Sequence, residues 1–177
     1  MGGLPRALEL TLEALSVRVV HGGINRINRF VFESAREVLA EELDEARADI
    51  VIAGHSGIPF IHEGKRGVWF NPGVIGLPAN DGTRDGWYGL ISRDKGEIVL
   101  STHRLAYDAQ SEAAAMRGLG HVHDYARTLL TGLWPSLDVL PPKERAASGR
   151  RLCPRTLRLT TLAGASQAHQ RAVMGRA

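Results

Sequence analysis

In residues 5–15, apolar and polar side chains alternate from Leu8 to Leu12. That is the period of a strand, and residues 16–20 read as its return, with Arg18 between Val17 and Val19 keeping one face wet or paired. From Val31 the apolar residues recur at Ala35, Val38, Leu39, Leu43 and Ala46, a helical spacing over about residues 30–47. Asn28 stands where a helix N-cap would, and Glu37, Glu41, Glu42, Asp44 and Glu45 read as the solvated face. Ile50-Val51-Ile52-Ala53 follows as a short, mostly β-branched run, the pattern of a strand buried on both sides. Strand, helix and strand then make a crossover unit with parallel strands.

Further on, Phe60-Ile61-His62 and Val68-Trp69-Phe70 flank the turn Glu63-Gly64-Lys65-Arg66-Gly67 and predict a hairpin in which His62 faces solvent. Residues 71–85 hold three glycines and two prolines and read as a loop. A second hairpin is predicted over residues 87–92 and 97–102, with His103-Arg104 at a sheet rim. Asp108 caps a predicted helix that Gly118 closes, and a second helix runs from about Val122 to Thr131 with Gly132 after it. Residues 134–140 form an apolar strap expected to pack back on the body.

The candidate chemistry lies where strands stop. Val19-Val20 ends in His21-Gly22-Gly23, and residues 50–53 end in Gly54-His55-Ser56-Gly57. An imidazole ligates zinc, manganese or iron through one ring nitrogen while its other N–H is held by a neighbouring acceptor. Two readings are open on these residues alone. Either the histidines share one site at the sheet edge, or they are unrelated polar strand ends with His55 bonded locally.

Read together, Gly54-His55-Ser56-Gly57-Ile58-Pro59, Asn71-Pro72-Gly73 and Val19-Val20-His21-Gly22 resemble the C-terminal half of the calcineurin-like metallophosphoesterases. That family's strand end reads Gly-His-Thr/Ser-His and precedes an Asn-Pro-Gly segment. The resemblance spans about residues 4–142. It implies an α/β (mixed α+β) fold, a partial four-layer β-sandwich flanked by helices. It also implies that His21 and His55 are ligands of one divalent ion (Mn, Zn or Fe) in a hydrolase acting on a phosphomonoester or phosphodiester.

The chain departs from the family in two respects. Gly57 stands where the second histidine of Gly-His-x-His, a ligand of the other ion, would be, and the family's Asp-x-His, Gly-Asp and Gly-Asn-His-Asp/Glu motifs are absent. The expectation is a truncated family member, weakly active or inactive as this chain. The alternative is a degenerate binding or regulatory module without catalysis.

Composition changes this picture in one place. Hydrophobic content of 44% and charged content of 23% are globular values, and no run approaches the length of a membrane span. Cys153 is the single cysteine, which excludes an internal disulfide and a thiolate metal cage. A cytoplasmic location is the resulting expectation. Residues 143–177 carry eight cations against Glu144 alone, a net of +7, which leaves −4 on residues 1–142 out of the chain's +3. Residues 143–177 are therefore expected to be a basic, disordered tail, a weak nucleic-acid contact at most because it lacks aromatic residues. Self-association is expected through an unpaired edge at residues 17–20 or 50–53.

Overall fold

A computed structural model of the chain describes residues 3–118 and 123–160. The chain forms two sheets and, among the described residues, four helices. Strands β1 (Ala7–Leu12) and β2 (Leu15–Val20) make the first hairpin, in the register Leu8 to Val19 and Leu10 to Val17. Helix α1 (Arg36–Ala46) crosses to β3 (Ile50–Ala53), which lies parallel to β2. The second hairpin, β4 (Phe60–Glu63) and β5 (Val68–Asn71), joins β3 through β5, again in parallel. The first sheet thus has the order β1-β2-β3-β5-β4.

The second sheet is β6 (Gly86–Asp94), β7 (Glu97–Leu105) and β8 (Thr156–Thr160), all antiparallel. Between them in sequence come α2 (Ala109–Gly118), α3 (His123–Thr131) and the short α4 (Pro142–Ala146).

Alternation along the parallel strands builds two cores, one on each face of the first sheet. Val20, Val51, Ala53 and Trp69 meet Leu39, Leu43 and Ala46 of α1 on one side. On the other, Val17, Ile50, Val68 and Phe70 pack on Ile98 and Leu100 of the second sheet, with Leu157 and Leu159 of β8 alongside. The loop of residues 134–140 does pack back: the Trp134 indole N–H donates to the Pro78 carbonyl at 2.6 Å, and Leu140 is buried.

Three expectations are corrected. The helix starts at Arg36, not near residue 30, and Asn28 does not cap it. Val31 and Phe32 are buried as extended chain instead, because the Ser56 hydroxyl accepts the Val31 N–H at 2.8 Å and so withholds that segment from a helical ladder. Second, neither β2 nor β3 is an edge, since β1 and β5 flank the pair and satisfy their backbone groups. The edges of that sheet are β1 and β4.

Third, residues 143–160 are not a disordered tail. The carboxylate of Glu144 in α4 accepts both the N–H (2.9 Å) and the hydroxyl of Ser34. The Leu152 N–H reaches Asp81 at 3.1 Å, and β8 pairs along β7. Thr156-Leu157-Arg158-Leu159-Thr160 alternates like any half-buried strand, and Arg158 ties its outer face to Asp94 and Glu97 at 2.9 and 3.0 Å. The remainder of that basic segment, 161–177, lies outside the described residues, as does the start expected for the second helix at Val122. No helix among the described residues is long and apolar enough to cross a membrane.

Candidate metal centre

The parallel pairing of β2 and β3 sets the site. Val20 lies beside Ala53 in register, and the ladder continues one step as the Gly54 N–H donates to the His21 carbonyl at 3.0 Å. His21 and His55 therefore leave adjacent strand ends together. Their rings converge: His21 Nε2 lies 3.0 Å from His55 Nδ1, with centroids 4.8 Å apart and planes at 57°. The reading in which the two histidines are unrelated polar ends does not survive this geometry.

Several local devices hold the pair in place. Gly22 admits no side chain, since a Cβ there would come within 2.6 Å of the Ile27 carbonyl oxygen and 3.3 Å of His55 Cβ. The loop after His21 is fastened by Glu42, which accepts the Ile24 N–H at 2.6 Å and the Arg29 guanidinium at 2.8 Å. Glu42 is only 4% exposed, so it does not belong to the solvated face predicted for it. The signal was its place: Leu39, Glu42, Leu43 and Ala46 are three and four residues apart and share one side of α1. On the other strand, fully buried Asn71 accepts the Gly73 N–H at 2.9 Å and donates to the Gly54 carbonyl at 3.4 Å.

His55 itself sits at φ +59, a left-handed conformation uncommon outside glycine and, among other residues, more often taken by Asn, Asp and His. Its ring lies 4.4 Å from that of Phe30. Burial, with a smaller contribution from the charge of His21, pushes the His55 pKa below its ordinary value. The Asn28 backbone opposes this shift, although no hydrogen bond of full geometry reaches the buried Nε2. The direction favours a neutral imidazole near pH 7, the form that ligates metals. His55 Nδ1 is the nitrogen that faces His21, while Nε2 is buried without the acceptor that usually holds the second nitrogen of a ligating imidazole.

The two nitrogens fit one part of a metal shell. Two imidazoles at about 2.0–2.1 Å from a tetrahedral zinc ion have nitrogens roughly 3.3–3.4 Å apart, within a few tenths of an ångström of the separation here. They do not fit a whole shell. Among the described residues no third histidine, cysteine, aspartate or glutamate joins them in an arrangement that would hold an ion.

At Gly57, where the resemblance calls for another ligand, φ is +71 and the space a Cβ would need is taken by the Trp134 indole, with Cζ2 at 2.6 Å. His62 lies on β4, hydrogen-bonded to Arg36, and is not part of the pair. His103 is within β7 rather than at its rim, stacked on Tyr88 and bonded to Ser101. The basic residues Arg155 and Arg158 are paired with Glu33, Asp94 and Glu97 and serve the fold.

No protein-family model matches the chain, and no curated protein sequence matches it. Solved structures do. A hypothetical protein of Pyrococcus horikoshii OT3 superposes with a TM-score of 0.62 at 12% identity, over 75% of this chain and 52% of that one. A metallophosphoesterase of Sphaerobacter thermophilus superposes with a TM-score of 0.60 at 18% identity, over 75% of this chain and 59% of that one. The fold is that of the calcineurin-like metallophosphoesterases. At such identities the likeness is one of fold, and the chain spans little more than half the length of these two structures. Within this fold, the ends of the paired parallel strands bring His21 and His55 to one point.

Proposed function

We propose that this chain carries the two-histidine portion of a metal-dependent phosphoesterase site. In this reading His21 Nε2 and His55 Nδ1 ligate one divalent cation, Mn, Zn or Fe, and the reaction is hydrolysis of a phosphomonoester or phosphodiester. The observation that carries the reading is the 3.0 Å approach of those two nitrogens at the ends of neighbouring parallel strands. A bound divalent ion would supply Lewis-acid polarisation of a phosphoryl oxygen and a more acidic water. What the chain's own residues contribute is orientation: Gly22, Glu42 and Asn71 fix the two loops, and Phe30 covers one face of His55.

Two neutral imidazoles leave most of a dication's charge uncompensated, so binding by this chain is weak. Catalytic groups that act as a unit also fail steeply when members are lacking. A second reading, a binding or regulatory module without catalysis, is favoured by Trp134 lying in the side-chain space at Gly57.

Hydrolysis of an aryl phosphodiester and an aryl phosphomonoester with Mn or Zn tests the choice. Weak metal-dependent turnover, lost in both His21→Ala and His55→Ala, supports the phosphoesterase reading. Turnover that survives both substitutions overturns it. Metal binding at the pair with no turnover at all favours the second reading.

A further inference from the structure

The two sheets differ in extent, five strands against three. β6, one edge of the second sheet, crosses the first at an angle. At Gly89 a Cβ would meet Phe70 of β5 at 2.5 Å, and further along Arg93 pairs with Glu13 of the β1–β2 turn at 3.2 Å. β8, the other edge, lies on the β4 side, where Ile61 and Leu157 line one cleft. A corner of the first sheet is thereby left beyond β6. Leu8 stands opposite Val19, Val19 beside Ile52 and Ile52 beside Phe70, one row on the face toward the second sheet. Phe70 is 1% exposed, whereas Leu8 is 51% exposed and Leu10, in the next row, 50%. Val19 and Ile52 are only half-buried.

β6 is itself open on that side. Among the described residues it pairs with β7 alone. The turn Lys95-Gly96, both at positive φ, makes Asp94 and Glu97 a hydrogen-bonded pair. Alternation then directs the backbone groups of Gly89, Ile91 and Arg93 away from β7. Edge strands are normally blunted by charge, proline or a bulge. β1, β4 and β8 carry Glu9, Glu63 and Arg158, whereas Gly86-Trp87-Tyr88-Gly89-Leu90-Ile91-Ser92 of β6 has neither charge nor proline. An unblunted edge beside an uncovered apolar row is the form of a vacant strand position.

We infer that β6 and this corner receive one extended strand of another polypeptide, with apolar residues at alternate positions. Its backbone pairs with β6, and its apolar side continues the inter-sheet core over Leu8, Leu10, Val19 and Ile52. Capture by strand addition uses these two elements together, ladder bonds for affinity and alternate side chains for specificity. Residues 161–177 do not suit the position, because their sequence lacks apolar alternation and they follow β8, the opposite edge. A second copy suits it no better. Two-fold pairing of β6 with its mate would carry the overhanging β1 of each copy over the β6 of the other, where β2 already lies. The inference uses neither histidine of the pair and stands apart from the phosphoesterase reading.

The experiment is an NMR titration of the full chain with a synthetic peptide of alternating valine and threonine, N-methylated along one edge so that it pairs on the other only. The same peptide methylated along both edges is the control. Saturable binding is expected, with amide shifts at Gly89 and Ile91, methyl shifts at Leu8 and Leu10, and no binding of the control. Leu8→Lys and Leu10→Lys alter half-exposed side chains, and each should weaken the peptide about tenfold or more, as removal of an apolar anchor does. Leu8→Thr is the milder variant should either fold poorly, and it should weaken the peptide in the same direction. Leu90→Ser, on the opposite face of β6, should leave binding unchanged. The inference is overturned if the peptide does not bind saturably, if the control binds as well, or if the Leu8 and Leu10 variants bind like the native chain. A concentration-dependent dimer in sedimentation that Leu10→Lys dissolves would also overturn it, by giving the position to a second copy.

Discussion

Gly57→Ala should be costly for two separable reasons, and Trp134 tells them apart. The first is backbone. At φ +71 a Cβ-bearing residue costs about 1–2 kcal/mol, offset by about 0.4–1 kcal/mol because alanine stiffens the unfolded chain. The second is space, since the new Cβ would lie 2.6 Å from Trp134 Cζ2 and 3.0 Å from Cη2. The indole is held by its N–H bond to Pro78 and by the Trp134 N–H on Asn80, so it cannot simply swing away. Overpacking of this kind costs about 1–3 kcal/mol. Together these give about 2–4 kcal/mol for Gly57→Ala in the native background. In a Trp134→Leu background the space term vanishes and only the backbone term is left, about 1 kcal/mol. A double-mutant cycle by urea denaturation should therefore return a coupling of about 1–3 kcal/mol. Equal cost of Gly57→Ala in both backgrounds would refute the claim that the indole fills the side-chain space at Gly57.

Further predictions follow from the same geometry. Arg104→Met should destabilise the chain by about 3–5 kcal/mol, because it leaves the buried Asp81 carboxylate without its 2.9 Å partner; urea midpoints check this. Removing residues 143–177 should abolish cooperative unfolding, since it strips Leu157 and Leu159 from the inter-sheet core and Glu144 from Ser34; a thermal melt that stays sharp would contradict β8 as part of the fold. Burial, reinforced by the charge of Arg36 and opposed by Glu33, holds the His62 pKa below its ordinary 6.5. The unfolded chain then binds more protons than the folded one, so stability contributed here falls as pH drops through 6.5 and levels off below the folded pKa. His62→Gln should flatten the urea midpoint between about pH 7 and pH 5, and an unchanged slope would count against that environment.

Legibility in the sequence followed locality. The three hairpins, α2 with its Asp108 cap and the parallel pair β2–β3 rest on short-range periodicity, and the ladder between that pair carried His21 and His55 to one point. The start of α1 was misread because the apolar spacing of Val31 and Ala35 fits a helix, whereas the Ser56 hydroxyl claims the Val31 N–H from elsewhere in the chain. β8 was hidden for a different reason. Its alternation is plain in Thr156–Thr160, but the surrounding arginines read as solvated charge until Asp94, Glu97 and Glu33 are seen opposite them. Trp134 over Gly57 and the orphan amide of Asn80 depend on contacts between distant segments, and no period or spacing encodes them.

The central claim is that His21 and His55 act as one ligand pair. Imidazole nitrogen NMR of the full chain during a zinc titration tests it most directly. The account predicts that His21 Nε2 and His55 Nδ1 shift together with a single weak affinity, that His21→Ala removes the response of His55, and that His62 and His103 stay unmoved. Independent responses of the two rings, or zinc shifts confined to His62 or His103, would contradict it.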